Sequence, residues 1–512
     1  MRSRRSTHHL RRIRRPASSP RVEILEDRWL LATFTVANTN DGGAGSLRQA
    51  LLDANATPGT DTVAYNLPGT GPFTIRPTSA LPRVDDPIII DGYTQPGSVV
   101  NTRATGDNAV LRVVIDGSAA GAGVTGLTIA AGGSTVRGLV INGFSGAGLK
   151  LLGGGNSLIE GNFLGTNASG TAALGNGNLG DGSSTDCLVV FNSSGNTIGG
   201  TTAASRNLIS GNRGAGLVIE GLGAGAANNL IAGNSIGTNA AGTAALGNGR
   251  DGVRIVNAPE NTVGGTTPGA GNIIAGTAYV GGISGSGVAI SGPGATGNLI
   301  VGNSIGTNAA VSIDLGNAGV GVQIDDASGN TIGGTAGGAG NTIAFNRNAG
   351  VAVRSGRRNA IAGNAIYSNG GLGIDLGADG MTPNDPDDAD TGPNDLQNAP
   401  LLISAAPSGG TTTVGGTLHG RRNTAFRIDF HASGTQPTNG VGERRTSLGS
   451  LTVSTDDSGN ARFTATFPVA AAPGADFAAT ATDPAGNTSE YSRSVALGAG
   501  DRFEANDSLT NA

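Results

Sequence analysis

The chain is poor in the residue types that support disulfides, membrane spans and histidine chemistry. Its 512 residues include one cysteine, Cys187, and one lysine, Lys150. A single cysteine cannot form an intrachain disulfide, and without an apolar run of 18 residues no transmembrane helix is expected. No histidine lies between His9 and His419, which removes most general-base options from the middle of the chain. The net charge of −5 gives no reason to expect a nucleic-acid partner.

Glycine is abundant, with 90 residues, and much of it falls in internal repeats. Residues 228–249 have close copies at 156–177 and 297–318, and a shorter copy begins at Arg358. The glycine before the aligned asparagine recurs after 72, 69 and 61 positions, at Gly161, Gly233, Gly302 and Gly363. There is no strict G-X-Y period, which excludes collagen. Repeats of this kind indicate a solenoid or a related array.

Two shorter motifs recur between the copies: G-[VLI]-x-[ILV], as at 252–255, and N-T-[IV]-G-G, as at 196–200. From Val322 the apolar positions recur after 8 to 11 residues, which is typical of short strands separated by glycine and asparagine turns. One isoleucine column is predicted to point inward: Ile159, Ile231, Ile300 and Ile361. One asparagine column is predicted to stack as a hydrogen-bonded ladder: Asn162, Asn234, Asn303 and Asn364.

Over roughly residues 110–380 these motifs resemble the right-handed parallel β-helix proteins, the pectin-lyase-like superfamily, in their short-repeat bacterial form. The resemblance implies an all-β chain: a right-handed parallel β-helix with an N-terminal capping helix, followed by a small antiparallel β-sandwich. A single short coil cannot bury enough surface to be stable, so neighbouring coils share their stability and both ends need caps. The fold hosts enzymes, adhesins and tailspikes alike, so it leaves the function open.

The first 32 residues form a basic leader, predicted to be disordered. Its end resembles the N-terminal L-E-x-R-x-L-L motif of very large secreted and surface proteins of bacteria, in Leu25, Glu26, Arg28, Leu30 and Leu31. The resemblance implies export; the alternative is a plain disordered leader. Residues 33–110 are predicted to hold the N-terminal cap and the first coils, with the solenoid beginning near residue 60. Ser46 and Gln49 are predicted to form a capping box at the start of the capping helix.

Repeats fill residues 111–380, and an aspartate-rich linker follows at 381–400. Residues 401–497 alternate apolar and polar positions between turn signals, which predicts the β-sandwich; the segment is similar to immunoglobulin-like modules of bacterial surface proteins. Residues 498–512 are interpreted as a disordered tail or as the start of a further, truncated domain.

The linker offers a candidate Ca²⁺ site, although the chain requires no cofactor on other grounds. Calcium takes six to eight oxygen ligands from flexible loops, and five carboxylates fall within 11 positions, at Asp385, Asp387, Asp388, Asp390 and Asp395. Pro386 and Pro393 interrupt the spacing of an ordinary calcium loop, so a solvated acidic hinge is the alternative.

Candidates for catalysis are few. Asp325 and Asp326 could act as paired carboxylates, and Arg254 could act as the base of a uronan lyase. The alternative is that both aspartates enter a turn, where aspartate is favoured, and that Arg254 is an ordinary solvated position. The histidine, R-x-P-x-x-R and D-P-H-E elements of related hydrolases, lyases and epimerases are absent from the sequence.

Three insertions are candidates for a binding face: residues 166–177, 238–249 and 307–317. They are predicted to recur about every third coil and to form one row on one edge, as insertions in solenoids often do. The binding candidates within them are Asn167, Thr171, Asn239, Thr243 and Asn308. The alternative is a set of spacer loops.

These observations predict an exported, non-catalytic structural or binding protein of the cell surface or the medium, adhesin-like and monomeric. Its expected partner is a polysaccharide or a cell-surface component. The alternative is a polysaccharide lyase or glycoside hydrolase that acts on acidic glycans along one face of the β-helix.

Overall fold

The computed structural model describes residues 31–178, 186–223, 225–408, 410–433, 446–468 and 474–498. The export-type motif lies outside these residues except for Leu31, and so does the chain after residue 498. No helix in the described ranges is both long enough and apolar enough to span a bilayer.

Three parallel sheets of eleven, ten and nine strands run the length of residues 33–376; they are named A, B and C in the order in which a coil visits them. Sheet A contains Thr33–Val36, Asp61–Tyr65, Ile88–Asp91, Thr135–Arg137, Leu158–Glu160, Thr197–Gly199, Leu230–Ala232, Thr262–Gly264, Leu299–Val301, Thr331–Gly333 and Ala360–Ala362. Sheet B contains Phe73–Ile75, Val113–Asp116, Leu139–Asn142, Phe163–Leu164, Leu208–Ile209, Ser235–Ile236, Ile273–Ile274, Ser304–Ile305, Thr342–Ala344 and Ala365–Tyr367. Sheet C contains Leu127–Ile129, Leu149–Leu152, Leu188–Phe191, Leu217–Glu220, Val253–Val256, Val288–Ser291, Val322–Asp325, Val351–Val353 and Ile374–Leu376.

The predicted parallel β-helix is therefore confirmed, and it begins earlier than predicted. Thr33–Val36 pairs in parallel with Asp61–Tyr65, so the stack starts at Thr33 rather than near residue 60. Short elements lie in the connections between strands: the 3-10 helices Gly92–Thr94, Gly117–Ala119 and Ala203–Ser205, and the hairpin Tyr279–Val280 with Ile283–Ser284.

The inward side chains of each sheet form one apolar core. In sheet A the predicted isoleucine column alternates with the column members of the intervening coils, and every member is at most 2% exposed: Ile159, Ile198, Ile231, Val263, Ile300, Ile332 and Ile361. The repeat thus contains two coils: one carries a copy of the 228–249 segment and the other carries the N-T-[IV]-G-G motif. Parallel pairing keeps like residues in register, so each inward column is a continuous apolar stripe along the solenoid axis.

Buried asparagines line each corner of the coil. Between sheets A and B the amides are hydrogen-bonded from rung to rung at 2.9–3.2 Å, through Asn162, Asn207, Asn234, Asn272, Asn303, Asn341 and Asn364. The predicted column held only alternate members of this ladder. A second ladder joins Asn196, Asn229, Asn261, Asn298, Asn330, Asn359 and Asn394. The third corner carries shorter runs, such as Asn317, Asn346 and Asn369.

The helix Leu47–Ala56 closes the N-terminal end of the stack. Leu47, Ala50, Leu51 and Ala54 are buried in the solenoid core. The Ser46 hydroxyl accepts a hydrogen bond from the Gln49 amide, as a helix N-cap does, at 3.2 Å. The predicted capping box is wrong in its second half, because the Gln49 side chain donates to Asp53 at 2.8 Å instead of returning to Ser46.

The C-terminal unit consists of two small antiparallel sheets, consistent with the predicted β-sandwich. One contains Leu401–Ser408, Thr411–His419 and Asn460–Phe467; the other contains Thr446–Ser454, Ala425–Ser433, Asp476–Thr482 and Val495–Ala496. Phe430 of the second sheet contacts Phe463 and Phe467 of the first, with ring centroids 5.7 and 5.2 Å apart. The two sheets therefore share an aromatic core. Residues 381–400 include the 3-10 turns Pro386–Asp388 and Pro393–Leu396.

Side chains of the C-terminal unit close the other end of the solenoid. The last coil has backbone amides with no further coil to bond, which is the usual hazard of an exposed sheet edge. The Thr488 hydroxyl accepts from the Ile361 amide at 3.0 Å, and the Glu490 carboxylate accepts from the Leu376 amide at 2.9 Å. Ala478 and Tyr491 join the solenoid core. The segment around Thr488 thus takes the place of a further coil.

Glu490 makes this closure sensitive to pH. It is 4% exposed, and burial raises its pKa to about 7, helped by Asp375 and opposed by the amides of Leu376 and Thr382. A folded-state pKa above the unfolded value of 4.5 contributes stability below pH 4.5 that is lost as the pH rises through 7. We expect the free energy of unfolding of the wild type to fall by on the order of 3 kcal/mol between pH 4.5 and about pH 7. The unfolding temperature should fall with it.

The variant Glu490→Gln isolates this effect, because an amide does not titrate between pH 4.5 and 8. Asp375 is present in both proteins, and so is Arg493, which lines one cavity together with Glu490. The difference in unfolding temperature between the two proteins should therefore depend on pH. If the unfolding temperatures of the two proteins changed with pH in the same way, the raised pKa would not belong to Glu490.

Candidate functional sites

The three insertions leave the coil at the corner between sheets B and C. They follow Phe163–Leu164, Ser235–Ile236 and Ser304–Ile305, and one further strand of sheet B lies between each pair. They therefore recur on every second coil, not every third as predicted. Each is a hairpin closed by one bridge, Thr166 to Ala173, Thr238 to Ala245 and Thr307 to Asp314. The first two touch, since the Ala240 amide donates to the Gly170 carbonyl at 2.9 Å.

The asparagines predicted to bind a ligand close their own hairpins. The Asn167 side-chain oxygen accepts from the amides of Thr171 and Ala172, at 2.9 and 3.2 Å. Asn239 bonds the Thr243 amide in the same way at 2.9 Å, and Asn308 bonds the Ser312 amide at 2.8 Å. These amides hold the loop shape, and their use for a ligand stays a prediction. The exposed residues of the hairpins include the predicted Thr171 and Thr243, and also Leu174, which is 49% exposed.

A groove of 860 Å³ lies beside the first hairpin. It is lined by the short corner at Gly143 and Ser145, by the hairpin residue Leu174 and by the turn at Asp116 and Ser118. Asn142 and Arg213 also line it. The Asp116 carboxylate is paired with Arg76 at 3.0 Å. Arg213 is exposed, and its guanidinium makes one long hydrogen bond, 3.3 Å, to the Gly177 carbonyl.

The predicted catalytic candidates do not form one site. Asp325 ends a strand of sheet C and accepts a hydrogen bond from the Ser355 hydroxyl at 3.0 Å. Asp326 has a positive φ of 53°, as expected of a turn residue. Arg254 lies on an earlier strand of sheet C, between Val218 and Ala289. No ion pair within 4.0 Å joins Arg254 to either aspartate in the described chain.

Sequence reasoning missed the acidic neighbours of Arg254. Asp186 and Asp251 precede two strands of sheet C at equivalent positions, with Ala215 on the coil between them. Burial raises the pKa of both carboxyls, while the amides of Ala215 and Ser286 and the nearby arginines oppose the shift. Asp186 is 2% exposed, so it does not present a carboxylate to a polymer. Only the register of the strands relates Asp186 to Asp251; they lie 65 positions apart in the sequence.

Residues 381–400 divide the predicted metal ligands into two groups. Asp385, Asp388 and Asp390 each offer an oxygen, and these oxygens lie within 4.8 Å of one another. Asp387 is paired with Arg422 at 3.0 Å and Asp395 with Arg357 at 2.8 Å. Of the predicted set of five, Asp387 and Asp395 thus lie outside the group of three, and each is paired with an arginine that is distant in sequence.

No protein-family model matches the sequence, and no curated protein is detectably similar to it. Among solved structures, ORF18 of Geobacillus virus E2 is 11% identical, with 91% of this chain and 76% of that chain covered and a TM-score of 0.38. Tailspike protein 2 of Escherichia coli O157:H7 bacteriophage CAB120 is 11% identical, with 89% and 68% covered and a TM-score of 0.30. The A-module of the Azotobacter vinelandii mannuronan C-5 epimerase AlgE6 is 18% identical, with 69% and 100% covered and a TM-score of 0.28. Similarities at this level carry no argument about activity, and the fold assignment rests on the three sheets themselves.

Proposed function

We propose that this protein is an exported β-helix of the cell surface or the medium that binds polysaccharide without cleaving it. The observation that carries the proposal is the groove beside the first hairpin. Its volume of 860 Å³ lies within the range of about 300–1,000 Å³ usual for ligand sites. It is open to solvent and runs across several coils, which suits a polymer better than a compact metabolite.

The groups along the groove match the chemistry of a sugar ring. Sugar hydroxyls bond carboxylates and guanidinium groups, which Asp116 and Arg213 supply. The aliphatic face of a ring can pack on an exposed apolar side chain, which Leu174 supplies. Ordered water bridges such contacts at little cost, so the groove need not fit closely. The protein acts as a rigid monomeric scaffold that presents these groups.

The groove accounts for binding better than for turnover. Retaining and inverting glycosidases need two carboxyl groups about 5–9.5 Å apart across the scissile bond. Asp116 is the one carboxylate among the groove residues, and its pairing with Arg76 keeps it charged. A lyase or hydrolase that uses another face stays the alternative, and incubating the protein with acidic and neutral glycans while measuring released reducing ends distinguishes the two.

We expect Arg213→Ala to weaken polysaccharide binding at least tenfold, because a hydrogen bond to a charged group is worth about 1.5–3 kcal/mol. Binding is measured first on a panel of immobilised polysaccharides and then by calorimetry on the best one. Leu299→Ala is the matched control: Leu299 is also exposed, at 41%, but lies on sheet A. Unchanged binding by the Arg213 variant would show that the polysaccharide binds outside this groove. If the wild type bound none of the polysaccharides, the proposed function would be contradicted.

A further inference from the structure

The three carboxylates at the joint between solenoid and sandwich have the spacing of ligands around one ion. Calcium–oxygen distances are about 2.3–2.6 Å, so two ligands on opposite sides of one Ca²⁺ lie about 4.6–5.2 Å apart. The oxygens of Asp385, Asp388 and Asp390 all lie within 4.8 Å of one another. One ion between them therefore lies near coordination distance of all three oxygens.

These carboxylates are also short of partners. Asp388 is 3% exposed; one of its oxygens accepts from the Asn398 amide at 2.7 Å, and no hydrogen bond from the described residues reaches the other. Asp385 Oδ1 and Asp390 Oδ1 are shielded from solvent and have no hydrogen-bond partner there either. Burying carboxylate oxygens unpaired is costly. Their neighbours Asp387 and Asp395, in contrast, have arginine partners.

No protein cation compensates the three within ion-pair distance. Arg421 is the arginine that acts electrostatically on Asp388, but its guanidinium pairs with Asp395 at 3.6 Å. Among the described residues, Asp385, Asp388 and Asp390 enter no ion pair within 4.0 Å. A cation from solution would relieve the repulsion among these three carboxylates.

We propose that Asp385, Asp388 and Asp390 bind one Ca²⁺ ion at the joint. The donors are all oxygens in an irregular loop, with no histidine or cysteine in the cluster, which disfavours zinc. Magnesium demands near-ideal octahedral geometry and keeps most of its water. Calcium accepts irregular geometry and takes its remaining ligands from water. This site is independent of the polysaccharide groove and adds a structural role.

Binding at this point would rigidify the closure of the solenoid. The same loop continues to Asn394, the last rung of its ladder, whose side-chain oxygen accepts from the Asn359 backbone amide at 3.0 Å. It also contains Asp395, which accepts from Asn487 at 3.2 Å. An ion that binds the native joint but not the unfolded chain raises stability by mass action. The unfolding temperature should therefore rise with the Ca²⁺ concentration.

Calcium titration calorimetry and thermal unfolding of the full chain, in Ca²⁺ or in EDTA, test the proposal. We expect one ion per chain and a lower unfolding temperature in EDTA. The variant Asp385→Asn/Asp388→Asn/Asp390→Asn should lose both responses, yet in EDTA it should be at least as stable as the wild type, because the repulsion is gone. Asp390→Asn alone serves if the triple variant does not fold, and should weaken binding at least tenfold.

Asp387→Asn is the matched control, since it removes a carboxylate from the same loop but from outside the cluster. It should leave the Ca²⁺ affinity within about threefold of the wild type, because this half-exposed carboxylate is already paired with Arg422. No heat at millimolar Ca²⁺ together with an unchanged unfolding temperature would overturn the proposal. Equal loss of binding in the control and triple variants would overturn the choice of ligands, and equal affinity for Mg²⁺ would overturn the assignment to calcium.

Discussion

We expect Ile231→Asp to abolish cooperative folding of the central coils. Ile231 is fully buried and pairs in register with Ile198 and Val263. An aspartate there would place a carboxylate in an apolar column with no partner, at a cost of several kcal/mol even if the group becomes protonated. Urea and thermal unfolding followed by circular dichroism, with limited proteolysis to locate the opened coils, measure the loss.

The adjacent residue provides the control for that variant. Leu230 is on the same strand with its side chain outward, 37% exposed, so Leu230→Asp should change stability by about 0.5 kcal/mol or less. Because strand side chains alternate, a slip of one residue would exchange the two outcomes. Equal sensitivity at both positions would contradict the register of sheet A.

The strands and the inward columns were predictable because each depends on a short, repeated pattern. Apolar residues such as Ile231 and Ile300 recur with glycine and asparagine at fixed offsets, and in a solenoid neighbouring repeats pack in the same way. The two-coil composition of the repeat was harder to predict. Alternate coils use different motifs, and only the register of Asn207 with Asn162 and Asn234 shows that both types share one ladder.

The C-terminal closure had no signal in the sequence. Thr488 bonds the Ile361 amide across 127 positions, and Glu490 bonds the Leu376 amide across 114. Nothing in a threonine or a glutamate inside a predicted sandwich indicates that it substitutes for a coil. Contacts of this kind depend on how two separately folded units dock, which local periodicity does not encode.

The candidate sites were predictable in part for the same reason. Clustering of aspartates at 385–395 indicated an acidic site, and three of the five come together. The sequence could not show that Asp387 and Asp395 have arginine partners, because Arg422 and Arg357 lie more than 30 positions away. The groove beside the first hairpin was not predicted, since Asp116, Asn142 and Arg213 come from different coils and meet only when the coils stack.

The second large effect is expected at the asparagine ladder, from Asn272→Ala. The Asn272 side chain makes four buried hydrogen bonds: its oxygen accepts from the amide and side chain of Asn234, at 2.9 and 3.0 Å. Its nitrogen donates to the Ile231 carbonyl at 2.8 Å and to the Asn303 oxygen at 2.9 Å. Alanine would remove the partner of the Asn234 amide and one partner of the Ile231 carbonyl. The Asn234 side chain keeps its bonds to Ile198 and Ala232, and the Asn303 oxygen keeps the Asn272 backbone amide. Two groups at about 1–3 kcal/mol each give an expected loss of about 2–6 kcal/mol.

Asn369→Ala tests whether the stability cost comes from losing the hydrogen bonds themselves or from leaving their partners buried away from water. Asn369 makes an equivalent set, accepting from Asn346 and donating to the carbonyls of Ile343 and Tyr367, but it is the half-buried last rung of its ladder. Water can replace the lost partners there, so the cost should be about 1 kcal/mol. Urea midpoints of the two variants give the comparison. Equal losses would mean that the bonds themselves, rather than the exclusion of water from the stacked corners, stabilise the solenoid.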